Sequence, residues 1–327
     1  MPQNNTNSSP KLPRKNILVT GGAGFIGSHF VKRIVKNKSY QILNLDKLTY
    51  AGNLDNLIGI EKEENYSFKK IDITDFAALR DAFLEFKPDI LVNFAAETHV
   101  DNSIKDPAVF VKTNVIGTQN LLSLAQEMSI DKFVQISTDE VYGSIKSGSF
   151  TESSPLQPNS PYSASKAAAD LLCRSYYKTF ATPVVILRCT NNFGPNQFPE
   201  KLIPFSVKRL KSGKKIPIYG DGQNMRDWIF VDDFARAVEM IIAAGEAGEI
   251  YNVGANNEMT NIEIAKKILE ILSLGEDKIE FVQDRPGHDF RYSLDFEKIR
   301  GLGWEPKNDF LVSLEKTVNW FYEKIRT

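Results

Sequence analysis

Two groups of reactive side chains stand out in this sequence of 327 residues. Thr138 to Glu140 (Thr-Asp-Glu) places a hydroxyl and two adjacent carboxylates after the apolar run Lys132 to Ile136. Tyr162 and Lys166 follow, four residues apart, so that a helix would bring the phenol and the ammonium onto one face. A hydroxyl, two acids, a phenol and an amine predict an active site for proton transfer.

The Tyr162 and Lys166 pair is typical of hydride-transfer chemistry. A tyrosine acts as a base near neutral pH only if its pKa falls well below about 10, and a cation one turn away favours the phenolate. Lys166 is placed to supply that charge and could also hold a cofactor ribose. A cationic nicotinamide would add to the effect. An isolated pair of this kind is more often a solvated helix face, but the glycine-rich turn described next favours catalysis.

A glycine-rich turn near the start of the chain predicts where a dinucleotide binds. The apolar run Asn16 to Thr20 leads into Gly21, Gly24 and Gly27, and apolar residues then recur at helical spacing. A strand, a tight turn and a helix in this order present N–H groups and the helix dipole to a pyrophosphate.

A carboxylate after the next predicted strand indicates whether NAD or NADP would bind. The run Gln41 to Leu45 ends at Asp46, 19 residues after Gly27, close to the ~20 expected for a carboxylate on the adenosine ribose. Asp46 would repel a 2′-phosphate, which favours NAD over NADP. Lys47 could instead accept that phosphate, although a solvated lysine is the simpler interpretation.

Strand and helix patterns alternate through the first half of the chain. We predict an α/β fold, a Rossmann-type doubly wound parallel sheet with a smaller α/β C-terminal substrate-binding lobe. Ligands gather at the carboxyl ends of the strands in such sheets. The further predicted elements are strands over Ser67 to Ile71, Asp89 to Phe94 and Lys132 to Ile136, and helices over Thr74 to Phe86 and Pro107 to Met128.

Composition shifts divide the chain into three regions. Residues 1–14 are polar and are expected to be a disordered tail, neither a signal peptide nor an anchor. Residues 15–190 predict the NAD-binding domain, with Val184 to Cys189 as the last strand and a return segment at about 231–245. Residues 191–327 predict the substrate-binding lobe.

Charge and composition exclude several classes of partner. A net charge of -1 gives no field to attract nucleic acid or an anionic membrane, and no run reaches the ~18 apolar residues of a membrane span. Cys173 and Cys189 are expected to be inert core thiols in a reducing cytoplasm. Neither they nor the histidines have metal-ligand spacing, so no metal is expected.

The sequence resembles the extended short-chain dehydrogenase/reductase family through Thr20 to Gly27 (TGGAGFIG) and Tyr162 to Lys166 (YSASK). Within that family, Thr138 to Glu140 resembles the signature of the nucleotide-sugar 4,6-dehydratases. The resemblance covers nearly the whole chain. Further matching blocks are Ala95 to Asp101, Arg188 to Pro195, Pro199 to Pro204 and Asp284 to His288.

The resemblance implies an NAD-dependent lyase that oxidises dTDP-glucose at C4, eliminates water across C5 and C6, and returns the hydride to C6. Tyr162 would take the proton of the C4 hydroxyl, with Thr138 positioning that oxygen. Glu140 would remove the C5 proton, and Asp139 would protonate the departing C6 hydroxyl. Two acids in environments that push their pKa values apart suit these opposite roles.

The resemblance also implies a set of binding residues. For the cofactor they are Gly21, Gly24, Phe25, Ile26, Gly27, Asp46, Lys47, Leu48, Thr49, Asp72, Ile73, Phe94, Ala95, Ala96, Thr98, Thr113, Tyr162, Lys166 and Asn192. For the substrate they are Thr98, Thr138, Asn191, Lys201, Leu202, Pro217, Ile218, Tyr219, Arg226, Asn261, Arg285 and His288. Arg226 and Arg285 are favoured for the diphosphate because the guanidinium fork matches phosphate oxygens.

Three alternatives stay open: a UDP- or CDP-sugar 4,6-dehydratase, an NDP-sugar 4-epimerase, and a non-catalytic NAD-binding sensor. Thr98 and Asn102 replace the usual Ser and Arg of the dehydratases, and Asn196-Gln197 stand where aromatic residues or His are common. Base or sugar preference could therefore differ. Helices opening at Pro107 and Pro161 pair across a dimer as a four-helix bundle in the family, which implies a homodimer.

Overall fold

The computed structural model describes residues 14–284 and 287–324. The strands are β1 (Lys15–Thr20), β2 (Tyr40–Asp46), β3 (Tyr66–Lys70), β4 (Ile90–Asn93), β5 (Lys132–Thr138), β6 (Val184–Cys189), β7 (Asn191–Phe193), β8 (Ile216–Tyr219), β9 (Met225–Phe230), β10 (Ile250–Val253), β11 (Glu258–Thr260) and β12 (Ile279–Val282). The helices are α1 (Phe25–Ile34), α2 (Phe76–Phe86), α3 (Val100–Lys105), α4 (Pro107–Phe110), α5 (Thr118–Glu127), α6 (Pro161–Phe180), α7 (Leu202–Lys211), α8 (Val231–Ala244), α9 (Asn261–Ile271), α10 (Glu297–Arg300) and α11 (Phe310–Lys324). A π-helical turn, Val111–Gly117, joins α4 to α5, and Asp139–Tyr142 forms a short 3-10 helix.

Seven parallel strands form the main sheet, in the order β10-β6-β5-β4-β1-β2-β3. Successive residues of a strand point to opposite faces, so Ile17 and Val19 of β1 join one core while Leu18 joins the other. Apolar residues of α1 and α8 complete the first core, and those of α2 and α5 complete the second. The predicted Rossmann-type architecture is therefore confirmed.

The chain crosses back to the main sheet late in the sequence. α8 matches the predicted return segment and packs against α1. The prediction that Val184 to Cys189 is the last strand was wrong, because β10 pairs in parallel outside β6, with Ile250 opposite Ile186. β10 has only four residues, which is too short for a periodic pattern to mark it.

The later part of the chain builds a smaller α/β unit beside the main sheet. It has a three-stranded sheet, β11-β9-β7, and a two-stranded sheet, β12-β8. Phe193, Val207, Trp228, Ile264 and Leu314 share its core. This smaller unit thus has a hydrophobic core of its own. The expected disordered tail lies, apart from Arg14, outside the described residues.

Candidate active site

Steric constraints require glycine at two positions of the turn between β1 and α1. Gly21 has a φ of +72°, and a Cβ there would lie 2.5 Å from the Ala95 nitrogen. A Cβ at Gly27 would lie 2.3 Å from the Gly21 carbonyl oxygen. α1 starts after Gly24 with no side-chain cap and no acidic residue in its first turn. Its free N–H groups and positive dipole end can therefore receive an anion.

Asp46 ends β2 and braces the glycine-rich turn. It is only 8% exposed, and its carboxylate accepts hydrogen bonds from the backbone N–H groups of Ala23 (2.9 Å) and Leu48 (2.8 Å). Burial raises the pKa of Asp46, and these backbone hydrogen bonds oppose the rise. The neighbouring Lys47 forms an ion pair with Asp72 at 2.7 Å, so its charge is compensated within the protein.

The acid pair follows β5 without a break. Thr138 caps the short helix Asp139–Tyr142: its hydroxyl oxygen accepts from the Glu140 N–H at 3.2 Å and donates to Asp139 Oδ1 at 3.1 Å. The Thr138 side chain also lies near enough to the Tyr162 phenol to oppose the rise in its pKa. Thr138 therefore contacts the acid pair and lies close to the tyrosine.

Asp139 is held in a form suited to donating a proton. It is 2% exposed, and its Oδ2 has no hydrogen-bond partner. Burial raises the pKa of Asp139 well above its ordinary value, and the neighbouring Glu140 charge adds to the rise. A carboxyl group with a raised pKa next to a second carboxyl group matches an acid and base division of labour.

This raised pKa predicts a pH-dependent cost in stability. Above the unfolded-state value of about 3.9, the folded protein retains a proton on Asp139 that the unfolded chain releases, so stability falls as pH rises. Asp139→Asn removes the titration. We expect its melting temperature to exceed that of the wild type by about 2 °C or more at pH 7, with the gain vanishing near pH 4, in calorimetry across that range. If the melting temperatures of Asp139→Asn and the wild type differed equally at pH 4 and at pH 7, this account would be contradicted.

Tyr162 and Lys166 lie on the first turns of α6, which a Ser160 capping box and Pro161 initiate. The expected lowering of the Tyr162 pKa by Lys166 was wrong for the chain alone: burial raises that pKa well above its usual value, and Glu140, Cys189 and Asp139 add to the rise. The Lys166 ammonium donates to the Ile136 carbonyl at 2.6 Å. Desolvation of the phenolate is the largest cause of this rise.

One cleft at the carboxyl edge of the main sheet brings most of the predicted residues together. Thr113 reaches it from the π-helical turn, a distortion that is frequent at functional sites. The predicted residues that line the cleft are Gly21, Gly24, Phe25, Ile26, Gly27, Asp46, Lys47, Thr49, Asp72, Ile73, Phe94, Ala95, Ala96, Thr98, Thr113, Thr138, Asp139, Glu140, Tyr162, Lys166, Asn191, Asn192 and Lys201.

Other predicted residues lie outside the lining of this cleft. Leu48 contributes its backbone N–H to Asp46, and Leu202 begins α7. β8 holds Pro217, Ile218 and Tyr219; Ile218 is buried in the small-lobe core, whereas Tyr219 packs edge-on against His288. Asn261 begins α9. Arg285 lies outside the described residues.

Arg226 is tied to its own lobe. It is 5% exposed, and its guanidinium donates to the carbonyls of Met225 (2.7 Å) and Asp289 (3.0 Å). It also lies over the Tyr292 ring, 4.4 Å from the centroid. These contacts hold the guanidinium of Arg226, the predicted phosphate ligand, within the small lobe.

The cleft also has residues outside the predicted binding set. Phe198 lines it without a sequence signal, and Glu97 and Gln197 line it from segments that the sequence had marked. Cys189 lines it too, while belonging to the buried core as expected. Burial raises the pKa of Cys189 to about 12, so the thiol stays neutral. Its place at the end of β6, a strand that ends at the same edge as β5, was the available signal. Among the described residues, no cluster of His, Cys, Asp and Glu could hold a metal ion.

Comparison with known proteins identifies the family. The model described as GDP-mannose 4,6 dehydratase matches residues 18–317. The chain belongs to this family. This places it among the extended short-chain dehydrogenases/reductases, as the glycine turn and the YSASK segment predicted.

Relatives within the GDP-mannose 4,6 dehydratase family match over nearly their whole lengths. The chain is 50% identical over 306 residues to the low-salt glycan biosynthesis protein Agl12 of Haloferax volcanii, covering 94% of this chain and 98% of that protein. It is 48% identical over 333 residues to the dTDP-glucose 4,6-dehydratase of Neisseria gonorrhoeae, covering 95% and 96%.

The fold is similar to those of solved dehydratases and epimerases. The dTDP-glucose 4,6-dehydratase DesIV of Streptomyces venezuelae, with NAD and dTDP bound, superposes with a TM-score of 0.92 at 48% identity, covering 94% of this chain and 97% of that chain. The UDP-glucuronic acid 4-epimerase of Bacillus cereus, in complex with UDP-glucuronic acid and NAD, gives a TM-score of 0.89 at 29% identity, covering 94% and 99%. Within the described ranges, the protein has no helix that combines the length and apolarity of a membrane span.

Proposed function

We propose that this protein is an NAD-dependent dTDP-glucose 4,6-dehydratase, a hydro-lyase that forms dTDP-4-keto-6-deoxyglucose. The observation that carries the proposal is the buried Asp139 next to the half-buried Glu140, with the Thr138 hydroxyl bonded to both and placed near the Tyr162 phenol. Hydride transfer alone needs only the tyrosine and lysine. Two further carboxyl groups of differing environment supply the acid and base that water loss requires.

The cleft fits NAD in shape and chemistry. Gly21 and Gly27 let the turn pack closely against the Ala95 backbone and against itself, and α1 begins there with N–H groups that no side chain caps. Asp46 suits a ribose hydroxyl and opposes a 2′-phosphate. Bound NAD would supply the hydride acceptor for C4 and the hydride donor for C6, and the positive charge of its oxidised nicotinamide would favour the Tyr162 phenolate that burial disfavours.

The chain's own residues would carry the protons. Tyr162 takes the proton of the C4 hydroxyl while Thr138 holds that oxygen. The resulting ketone makes the C5 proton acidic, and Glu140 removes it. Asp139, whose pKa burial raises, gives its proton to the C6 hydroxyl, which leaves as water. As the hydride returns to C6, Glu140 returns a proton to C5, and the proton taken by Tyr162 replaces that of Asp139 through solvent. Lys166 holds the cofactor ribose.

The substrate is proposed to span the cleft and the small lobe. Asn191, Lys201 and Thr98 lie where the two meet, and Lys201 donates to the Thr98 carbonyl at 3.0 Å. The other proposed contacts for base and diphosphate are Leu202, Pro217, Ile218, Tyr219, Arg226, Asn261, Arg285 and His288. The relatives above that act on dTDP-glucose support this nucleotide over UDP.

A product assay tests the function. The purified protein with NAD is incubated with dTDP-glucose or with UDP-glucose, without added reductant, and the sugar nucleotide is weighed by mass spectrometry. We expect loss of one water from dTDP-glucose. An unchanged mass with a new C4 epimer would support the epimerase instead. No turnover of either sugar nucleotide would support an NAD-binding sensor.

We further propose a cytoplasmic homodimer. The two free cysteines suit a reducing compartment. Large apolar side chains are exposed on adjoining helical segments around α6, including Val109, Ile116 and Leu171, the last 56% exposed. Such a surface is typical of a helical interface between copies.

Charged substitutions on this surface should separate the copies. We expect light scattering to give twice the chain mass for the wild type and one chain mass for Ile116→Glu with Leu171→Glu, because each buried glutamate would be desolvated without a partner. Val312→Glu on α11, at a side chain 65% exposed, is the matched control and should leave the mass unchanged. A dimeric double variant would place the interface elsewhere.

A further inference from the structure

A chain of buried polar side chains lies directly behind the candidate active site. Ser137 donates its hydroxyl hydrogen to Asp170 Oδ2 at 3.0 Å, and Arg188 Nε donates to the same oxygen at 2.9 Å. Arg188 Nη1 donates to the Tyr142 hydroxyl at 2.8 Å, and that hydroxyl donates to Asn252 Oδ1 at 2.8 Å. All five residues are more than nine-tenths buried. Most polar side-chain atoms of these five residues therefore form hydrogen bonds within the protein rather than with water.

The network joins every segment that carries a proposed catalytic residue. Asp170 lies one helical turn beyond Lys166 on α6. Ser137 directly precedes Thr138 in β5, and Tyr142 ends the short helix that holds both acids. The acid pair and the tyrosine and lysine pair thus sit on separate segments with a common support.

Arg188 provides the central link of this support. Its guanidinium pairs with Asp170 and also lies over the Tyr142 ring, 4.7 Å from the centroid. A planar fork can hold two partners in fixed directions, which a flexible ammonium cannot do. A buried pair of this kind is costly to break because a charge is left uncompensated.

We propose that Tyr142 and Arg188 are positioning residues that set the placement of Asp139 and Glu140 relative to Tyr162 and Lys166. The proposal rests on the proposed function, in which one sugar ring must meet Tyr162 at C4 and Asp139 at C6. Small displacements of a catalytic group cost rate steeply, up to about a hundredfold for 1 Å. The link therefore matters most for the step that uses both sets of residues.

Loss of the Tyr142 hydroxyl should slow water loss more than C4 oxidation. C4 oxidation depends on α6, which keeps its tie to β5 through Ser137 and Asp170. Burial lowers the pKa of Lys166, and the Asp170 carboxylate opposes that shift, so this field also remains. Water loss depends on the short helix Asp139–Tyr142, which would lose its hydrogen bonds to Arg188 and Asn252.

Tyr142→Phe tests this separation. The ring stays to stack on Phe150, at 5.0 Å between centroids. The variant with NAD is quenched during turnover of dTDP-glucose, and mass spectrometry gives the ratio of oxidised, undehydrated nucleotide to dehydrated product. We expect that ratio to rise about tenfold. The matched control is Tyr251→Phe, which removes a buried hydroxyl that accepts from the Glu246 N–H at 3.2 Å outside the network, and it should leave the ratio unchanged.

Arg188→Lys gives a second, independent variant. The lysine keeps a charge for Asp170 but not the forked link to Tyr142, so we expect the same rise in the ratio, and no further rise in the double variant. This variant decides the matter if Tyr142→Phe does not fold. An unchanged ratio, or equal slowing of oxidation and water loss, would overturn the positioning role. A wild type that leaves dTDP-glucose intact would contradict the proposed function instead.

Discussion

Asp139→Asn combined with Glu140→Gln is expected to stop water loss while C4 oxidation continues. Both side chains keep their shapes, but one loses its acidic proton and the other its basic oxygen. General acid and base groups each contribute about 10²- to 10⁴-fold, so dehydration should fall by about 10³-fold or more. Reduced nicotinamide should accumulate with dTDP-glucose, which absorbance spectroscopy would detect, because the hydride has no C6 acceptor.

The two single variants refine this expectation. Asp139 has the raised pKa and the unpartnered oxygen, so Asp139→Asn should impair departure of the C6 hydroxyl. Glu140→Gln should abolish exchange of the C5 hydrogen with solvent deuterium, whereas Asp139→Asn should retain some exchange. Asp289→Asn, at a carboxyl of the small lobe that accepts from Asn159 and Tyr292, provides an acid-to-amide control. Normal dehydration by the double variant would refute the roles assigned to both acids.

Tyr162→Phe is expected to block the reaction before any hydride moves. Without the phenol, the C4 hydroxyl loses the base proposed to take its proton, and the rate should fall by about 10²- to 10⁴-fold. Single-turnover absorbance with dTDP-glucose should show no reduced nicotinamide, in contrast to the double acid variant. Tyr251→Phe serves as the control for loss of a buried phenol.

The pH dependence of C4 oxidation provides a second test of Tyr162 as the base. Burial raises the pKa of Tyr162 in the chain alone, so the phenolate should gain population as the pH rises. The rate of C4 oxidation should therefore increase toward alkaline pH in the wild type. This increase should be absent in Tyr162→Phe. Oxidation at the normal rate in Tyr162→Phe would place the base on another residue.

The sequence was sufficient where local patterns decide the structure. The glycines after β1 predicted the turn because only residues without Cβ fit beside Ala95 and Gly21. Asp46 and Thr138 to Glu140 were found because parallel strands end at one edge, so residues that follow separate strands meet.

Tertiary burial decided what the sequence could not predict. The pKa of Tyr162 rose instead of falling because its desolvation depends on the whole cleft, not on Lys166 one turn away. The predicted helix from Pro107 to Met128 contains the π-helical turn Val111–Gly117, and a Cβ at Gly117 would lie 2.4 Å from the Ile73 side chain. Close contacts of this kind leave no periodic trace in the sequence.

The late return of β10 to the main sheet makes the two lobes inseparable. A fragment that stops near residue 190 would keep the cofactor turn and all five proposed catalytic residues, yet it would expose the edge of β6 along Ile186 to Cys189. Unpaired strand edges recruit other chains. A transplanted cofactor lobe would therefore have to carry the segment through Val253, which includes the small-lobe strands β8 and β9.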